Sequence, residues 1–415
     1  MEYCTSNHRD PLFGEEAHIA LKGLGPERDP LRVATRLRAS LEPELARRCA
    51  ELHELRLRAR SRFCNEIPLF MTVPGLSRAS SEAAANARAA RIFTRLPRAW
   101  VSDATCGIGA DSMALSRAGL RVLASDLDPH LAACASANLS AYGHAARVVV
   151  ADCLHLSNAC DALILDPDRR AGGTRTLNPE RWSPSLTEAI GLAHRYEGAC
   201  LKLAPAMEAD AVELPHDLPH HWQWVSVDHS LVELCLWTGA LSSPVAREAT
   251  LVRRGEVMAQ FTGEPVPTNP IPKEQLVEPP YLHDPDPCLV RSRLLGTLAA
   301  ELGLRALHPM LALLVGDAPA STPFLASFRV LGSAPLDRRR VRDLLRAHDV
   351  GPIEIRKRGH PDPAEELARR FKGPGERRGT LFVTRLDKGH RAYLAEPSSG
   401  PVVGDEGLEP TASSL

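Results

Sequence analysis

Apolar side chains recur at Leu31, Ala34, Leu37, Leu41, Leu45, Cys49, Leu52, Leu55, Ala59 and Phe63. Steps of three or four match the turn of an α-helix, so the pattern predicts helices here. Pro43 fits only a first turn, which predicts a second helix starting there with Ser40 as its N-cap. That helix ends in LHELRLRARSRF, which spreads Arg56, Arg58, Arg60 and Arg62 around it. A third helix, SSEAAANARAARIF, is predicted from Ser80 or Ser81, with Glu82 in its first turn. Residues 1–28 read as a loosely ordered tail, leaving 29–97 as an N-terminal helical domain.

From Trp100 the period changes. Short apolar runs at 100–104, 121–126, 146–151, 161–166, 198–203, 222–227 and 232–238 alternate with helical patterns at 110–118, 129–142 and 185–196. Such alternation predicts a parallel sheet with helices on both faces. Only DHSL separates the last two runs, so they should pair antiparallel. Over 98–245 the expectation is an α/β fold with a seven-stranded Rossmann-like sheet, the last strand antiparallel. Eight prolines between 262 and 288 mark a connector, set at 246–290. Beyond it, 291–396 predicts an α+β domain: a helix near 289–303, strand 324–332, helix 337–347, strand 352–358, helix 363–371, and strands 379–385 and 391–395. Residues 397–415 read as disordered.

Composition narrows the class. The 415 residues, 44% hydrophobic and 24% charged, are ordinary for a soluble globular protein. The ten cysteines form no C-x-x-C pair, which argues against a disulfide framework or thiolate zinc site and for a reducing cytoplasm. The polar opening MEYCTSNHRD is no secretory signal. No apolar run approaches the ~20 residues needed to span a membrane. The net charge of −1 hides two basic flanks: 15 arginines against seven acids over 28–98, and 17 lysines or arginines against nine acids over 329–391. Two basic flanks around an acidic centre fit a polyanion, or solvated helix faces.

The centre carries the chemistry. WVSDATCGIGADSMALSRAG is strand, turn, helix, and Gly107 and Gly109 permit a tight turn with close ligand approach. A dinucleotide fingerprint needs a third glycine where Ser112 stands. The competing S-adenosylmethionine pattern places an acid at the strand end four residues before G-x-G, as Asp103 and Gly107 do. Asp126 ends the next strand, where an acid can accept both ribose hydroxyls of either cofactor. Asp152 follows the third strand, where it could accept from an adenine amino group. Each acid alone could equally be a helix cap.

These stretches resemble class I S-adenosylmethionine-dependent methyltransferases. More narrowly, LHELRLRARSRF, RASSEAAANARAARIF, DATCGIGAD, DLDPHLAACASANL, LILDPDRR and LKLAP resemble, in that order, a bacterial methyltransferase family carrying a C-terminal THUMP-like domain. The likeness spans most of 40–395, strong over the cofactor motifs and weaker beyond 245. It implies S-adenosyl-L-methionine as cofactor. Asp103, Gly107 and Gly109 would then lie at its methionine end, Asp126 at the ribose and Asp152 at the adenine, with Cys106 a further cofactor-binding candidate.

The fourth strand runs into DPDRR. Asp166 resembles the first residue of the [DN]-P-P-[YF] motif of amino-group methyltransferases, where the acid and a proline carbonyl accept from the target amine. Here Asp168 replaces the second proline and Arg169 the aromatic. The catalytic candidates are Asp166, Pro167, Asp168 and Arg169, with Arg169 and Arg170 as an anion clamp or as salt-bridged loop residues. A D-P-P-R variant occurs in 5-methyluridine enzymes, which need a cysteine nucleophile after the fifth strand. Leu203 occupies that position, and Cys200 reads as a core residue. Lys202 is left open between a charge behind the site and a strand-end residue reaching solvent. His216, His220 and His221 lack ligand spacing, so no metal is expected.

Arg338, Arg339, Arg356, Lys357, Arg358, Arg369, Arg370 and Lys372 could each neutralise a phosphate. THUMP domains are RNA-associated, so the resemblance implies structured RNA, tRNA or rRNA, as partner, without membrane. The expected activity is methylation of an RNA base by direct in-line transfer. Methylation of a protein or small molecule, and a silent RNA-binding relative, are the alternatives.

Overall fold

The computed structural model describes residues 10–63, 69–141, 146–156, 159–170, 176–253, 255–272, 278–387 and 389–398. They form two compact units, Met1–Ala246 with Val252–Val257, and Arg247–Leu251 with Met258–Leu415.

The first unit opens with helices α1 (Glu15–Leu24), α2 (Pro30–Arg38), α3 (Pro43–Ala59), α4 (Val73–Arg78) and α5 (Glu82–Arg95). Helix α1 corrects the expectation of a loose tail over 1–28. Its buried Ala17, Leu21 and Leu24 fall at helical spacing, but three positions are too few to register as a period. In α2, Leu31 is 76% exposed and Val33 is buried instead. Pro43 does begin α3, but Glu42 holds the cap position. Ser40 instead donates to the Leu37 carbonyl behind it, so its expected cap role is corrected. Ser81 caps α5 by accepting from the Ala84 N–H, as expected of that start.

Next come β1 (Trp100–Asp103), α6 (Ala110–Arg117), β2 (Arg121–Asp126), α7 (Pro129–Ala141), β3 (Arg147–Val150), β4 (Ala162–Leu165), α8 (Leu186–Ala193), β5 (Gly198–Leu203), β6 (His220–Val227) and β7 (Ser230–Gly239). The strands lie in the order β3-β2-β1-β4-β5-β7-β6. β1 to β5 run parallel, and β7 is antiparallel to both β5 and β6. Asp228 and His229 both have positive φ, which lets the β6–β7 turn be tight. The direction of winding reverses at β1 and β4, so the crevice beyond their C-terminal ends is where this architecture takes ligands.

The stretch read as a connector holds two more strands, β8 (Arg247–Arg253) and β9 (Glu256–Gly263), whose residues divide between the units. Trp222 donates to the Ala246 carbonyl and Asp228 to that of Val252. It also holds β10 (Tyr281–Pro285), the first strand of the second unit's sheet. The prolines cluster between these strands and mask them.

The second unit continues with α9 (Pro287–Arg291), α10 (Leu295–Glu301), β11 (Arg305–Ala306), β12 (Leu314–Gly316), β13 (Leu325–Pro335), α11 (Arg338–Ala347), β14 (Val350–Arg358), α12 (Ala364–Arg370), β15 (Arg377–Leu386) and β16 (Gly389–Pro397). The helix expected near 289–303 is broken at Arg293, whose φ is +63°. The sheet order is β11-β12-β10-β13-β16-β15-β14, with β14 and β15 parallel. Phe328 and Phe382 meet edge to face at 5.0 Å in its core. Helix α11 buries Val341 and Leu345 and turns its arginines outward. Beyond Ser398 the expected disordered tail lies outside the described residues. No helix among the described residues is long and apolar enough to cross a membrane.

Candidate active site

The turn after β1 is built on two left-handed glycines. Gly107 has φ +54° with open space where a side chain would stand, and Gly109 has φ +87° with its face against Ala135. The loop is tied to β2: Cys106 N–H donates to the Ser125 carbonyl, and Gly107 N–H to Asp126 Oδ2, both at 2.8 Å. Asn138 of α7 donates to the Ile108 carbonyl while bonding both backbone groups of Phe70. Helix α4 therefore packs on the glycine loop. A side chain on Gly75 would come within 2.5 Å of Ile108. Cys106 is buried, and burial pushes its thiol well above the ordinary range, so it lines the loop as a neutral group.

The acids expected at the strand ends do gather at one edge. Asp103 is buried and accepts from Ser112 Oγ at 2.5 Å. Burial, reinforced by nearby Asp111, pushes its carboxyl up to about 7. Asp126 accepts from Gly107 and Asp128 N–H groups, one on each oxygen, and burial raises its pKa above the ordinary value. Asp152 accepts from Leu154 N–H and so caps a short 3-10 turn, the plainer of its two expected roles. Leu127 and Val150, beside Asp126 and Asp152, are 68% and 42% exposed.

Asp166 follows β4. Its N–H donates to Thr105 Oγ1 at 2.7 Å, which fixes the backbone against the glycine turn. Its Oδ2 accepts from Lys202 Nζ at 2.7 Å. Pro167 is buried and Arg169 half-buried. Asp168 accepts from Arg170 N–H and from Arg78, so it is a salt-bridged loop residue.

Sequence reasoning missed what lies beneath. Lys202, on β5, also donates to Asp111 Oδ2 at 3.2 Å. Arg88 of α5 donates to Asp111 Oδ1 through Nε and NH2, at 2.9 and 2.6 Å, to Glu233 Oε2 at 2.5 Å, and to Ser80. Burial opposes the charge on Arg88, but Asp111 and Glu233 outweigh it and hold the guanidinium protonated. Burial likewise opposes the Lys202 ammonium, and Asp111 and Asp166 hold its pKa above the ordinary lysine value. Asp111, despite burial, is held below the usual carboxylate range by Arg88 and Lys202. Lys202 is thus a charge behind the site, its side chain only 10% exposed. The available signals were polar residues in apolar surroundings: Glu233 within LVELCLW, and Arg88 on an alanine face.

Cys200 and Leu203 are buried core residues. His221 is buried too, with Nδ1 accepting from Ser243 N–H and its ring stacked on Trp237. Among the described residues no group of three or more His, Cys, Asp and Glu is placed to hold a metal ion.

A doubly wound sheet with an antiparallel β7, a glycine turn after β1 and acids crowning successive strands define a class I S-adenosylmethionine-dependent methyltransferase. The comparisons agree. Residues 325–397 match the family model described as THUMP domain-like. The chain is 32% identical over 334 residues to a protein found in two strains of Mycobacterium tuberculosis, covering 79% of this chain and 88% of the relative. That relative is described as an uncharacterized S-adenosylmethionine-dependent methyltransferase. A crystal structure from Porphyromonas gingivalis W83, described as a candidate methyltransferase, superposes with a TM-score of 0.71. It shares 19% identity and covers 93% of this chain and 99% of that one. The chain belongs to the S-adenosylmethionine-dependent methyltransferases, and S-adenosylmethionine is its methyl donor.

The donor set fits that group. Gly107 leaves open the space a side chain would fill, Asp126 keeps acceptor capacity on both oxygens, and Leu127 and Val150 offer apolar surface beside Asp152.

Proposed function

We propose that this methyltransferase modifies a base in structured RNA, tRNA or rRNA, in the cytoplasm, by direct in-line transfer. One observation carries the RNA reading: α11 presents Arg338, Arg339, Arg340 and Arg342 exposed, none in an ion pair among the described residues. Unpaired guanidiniums on one helix suit a phosphate backbone. Of the other expected phosphate contacts, Arg369 and Lys372 are exposed, and four are engaged elsewhere. Arg356 and Arg358 both hold Asp284, Arg370 holds Asp362, and Lys357 donates to the His360 and Asp362 carbonyls. The N-terminal flank is likewise partly turned inward: Arg56 donates to the Leu69 carbonyl, Arg62 to that of Leu76, and Arg88 is buried. The RNA grip is therefore assigned mainly to the THUMP-like unit.

In this reading Asp103, Gly107 and Gly109 hold the methionine end of the donor, Asp126 the ribose and Asp152 the adenine amino group, with Cys106 lining the same turn. Bound there, the donor supplies a methyl carbon on a positively charged sulfur. Asp166 Oδ1 and the Pro167 carbonyl accept from the target amino group and aim its lone pair along the line of displacement. As the N–C bond forms and the C–S bond breaks, with its electron pair left on sulfur, the surplus proton leaves the amine by way of Asp166 to solvent. Asp168, held by Arg78, fixes the loop, and Arg169 serves as the anion clamp.

The test is Asp166→Ala, assayed with tritiated S-adenosylmethionine and bulk RNA from cells lacking the gene. Transfer should vanish while calorimetric affinity for S-adenosylhomocysteine stays within about three-fold, since a lost reaction-end acceptor leaves donor contacts intact. Normal turnover by the variant would remove Asp166 from the mechanism. Mass spectrometry of tRNA and rRNA nucleosides with and without the gene names the product. Identical nucleoside profiles would overturn RNA as substrate.

A further inference from the structure

The acid at the reaction end is not free to choose its orientation. Lys202 takes Oδ2 of Asp166, which leaves Oδ1 as the oxygen available to a substrate. The ammonium reaches Asp166 from beneath, inside the protein, and its other charged contact is Asp111. Asp111 is itself immobilised by two guanidinium nitrogens of Arg88 and by Ser80, whose hydroxyl donates to Oδ2 at 3.1 Å. Glu233 on β7 balances Arg88 from the other side. Every charged member except Asp166 is 10% exposed or less by side chain, so water does not readily replace a lost ionic partner. Asp166 is a third exposed and stands where the chain of contacts surfaces. A buried chain of this kind has few alternative arrangements, because each charge left unpaired is strongly unfavourable.

We infer that Lys202 is a positioning residue for methyl transfer, and that Arg88, supplied by helix α5, holds it in place through Asp111. The inference rests on the reading of Asp166 as substrate acceptor. It gives the helical segment before the sheet a part in the reaction: the segment sets the angle at which the acceptor carboxylate meets the target amino group. Neither Lys202 nor Arg88 touches substrate. Displacing the carboxylate by about 1 Å is enough to cost on the order of a hundred-fold in rate.

The test compares Lys202→Met, Lys202→Arg and the double variant Lys202→Met/Asp111→Asn. The double variant keeps Arg88 paired with Glu233 and guards against a misfolded single variant. Crystal structures should show the Asp166 carboxylate moved in both methionine variants. An unmoved carboxylate in the double variant would overturn the inference without any activity measurement. With tritiated donor and bulk RNA from cells lacking the gene, single-turnover rates should fall about a hundred-fold at saturating RNA. The RNA concentration giving half the maximal rate, and S-adenosylhomocysteine affinity, should stay within about three-fold. Lys202→Arg should recover part of the rate. Wild-type rates in the methionine variants would also overturn the inference. If Asp166→Ala itself turned over normally, the underlying reading would fail instead. If wild-type enzyme left RNA unlabelled, RNA would fall as substrate, while the crystallographic comparison would still decide the positioning role.

Discussion

Arg78 and Asp168 are ninety residues apart in the chain, yet Arg78 NH1 donates to Asp168 Oδ2 at 2.9 Å. This contact joins α4 to the loop that follows Asp166. Both side chains are a third or more exposed, so the pair contributes at most about 1 kcal/mol to stability. Arg78→Ala should lower Tm by no more than about 4 °C, while methyl transfer falls by about ten-fold because the loop loses its anchor. Unchanged transfer in a melting-checked variant would show that the loop holds itself.

The two turn glycines should fail differently. Gly109→Ala forces a side chain against Ala135 at φ +87° and should destabilise the fold by about 1–2 kcal/mol or more. Gly107→Ala meets no protein atom within 4 Å. Its cost in stability should be about 1 kcal/mol, with the larger loss in S-adenosylhomocysteine affinity. Calorimetry beside thermal melting separates the two. Equal affinity for both proteins would mean the ligand does not approach Gly107.

Asp103 predicts a pH signature. Its carboxyl titrates at about 7 in the fold against an ordinary 3.8. Its stabilising contribution is therefore complete below about pH 4 and is lost as pH rises through 7. Asp103→Asn should gain Tm relative to wild type across that window. If Asp103 holds the methionine end as proposed, donor affinity runs the other way, because the ionised carboxylate is the form that attracts an ammonium. S-adenosylhomocysteine affinity should rise about ten-fold from pH 6 to 8 in wild type and stay flat in the variant. A parallel rise in both proteins would assign the titration elsewhere. Asp111, held below its ordinary value, stabilises above about pH 4 and loses that contribution only in stronger acid, so the two windows do not overlap.

Charge reversal on α11 tests the nucleic-acid surface. Arg338→Glu/Arg339→Glu/Arg342→Glu should weaken binding of a tRNA transcript and reduce the slope of log affinity against log salt by about two to three, roughly one for each lost phosphate contact. Arg356→Ala/Arg358→Ala should instead lower Tm, because it strands Asp284, which is buried. If the second pair controlled RNA affinity and the first did not, the binding face would lie on β14.

The alternation of apolar runs identified the β1–β7 sheet because strands buried on both faces, such as ALIL of β4, read as unbroken apolar segments. The glycine turn and the acids at the strand ends were legible as structure because a left-handed turn demands glycine at fixed positions. Helix α4 was not, since six residues give no period and its one signal, Gly75, reports contact with a distant loop. The strands β8 and β9 were hidden by the prolines that follow them. The Arg88–Asp111–Lys202 chain could not be read from spacing at all, because its members come from α5, α6 and β5, and only the fold brings them together. The same applies to the arginines: sequence counts their charge, while pairing decides which remain available.

Arg88 also bears on how the first unit comes apart. A helix that supplies the central cation for carboxylates on α6 and β7 cannot melt alone without stranding the buried Glu233 and leaving Asp111 with Lys202 alone. Helix α5 and the sheet should therefore share one cooperative transition, and exchange of their amide hydrogens should report a common opening free energy.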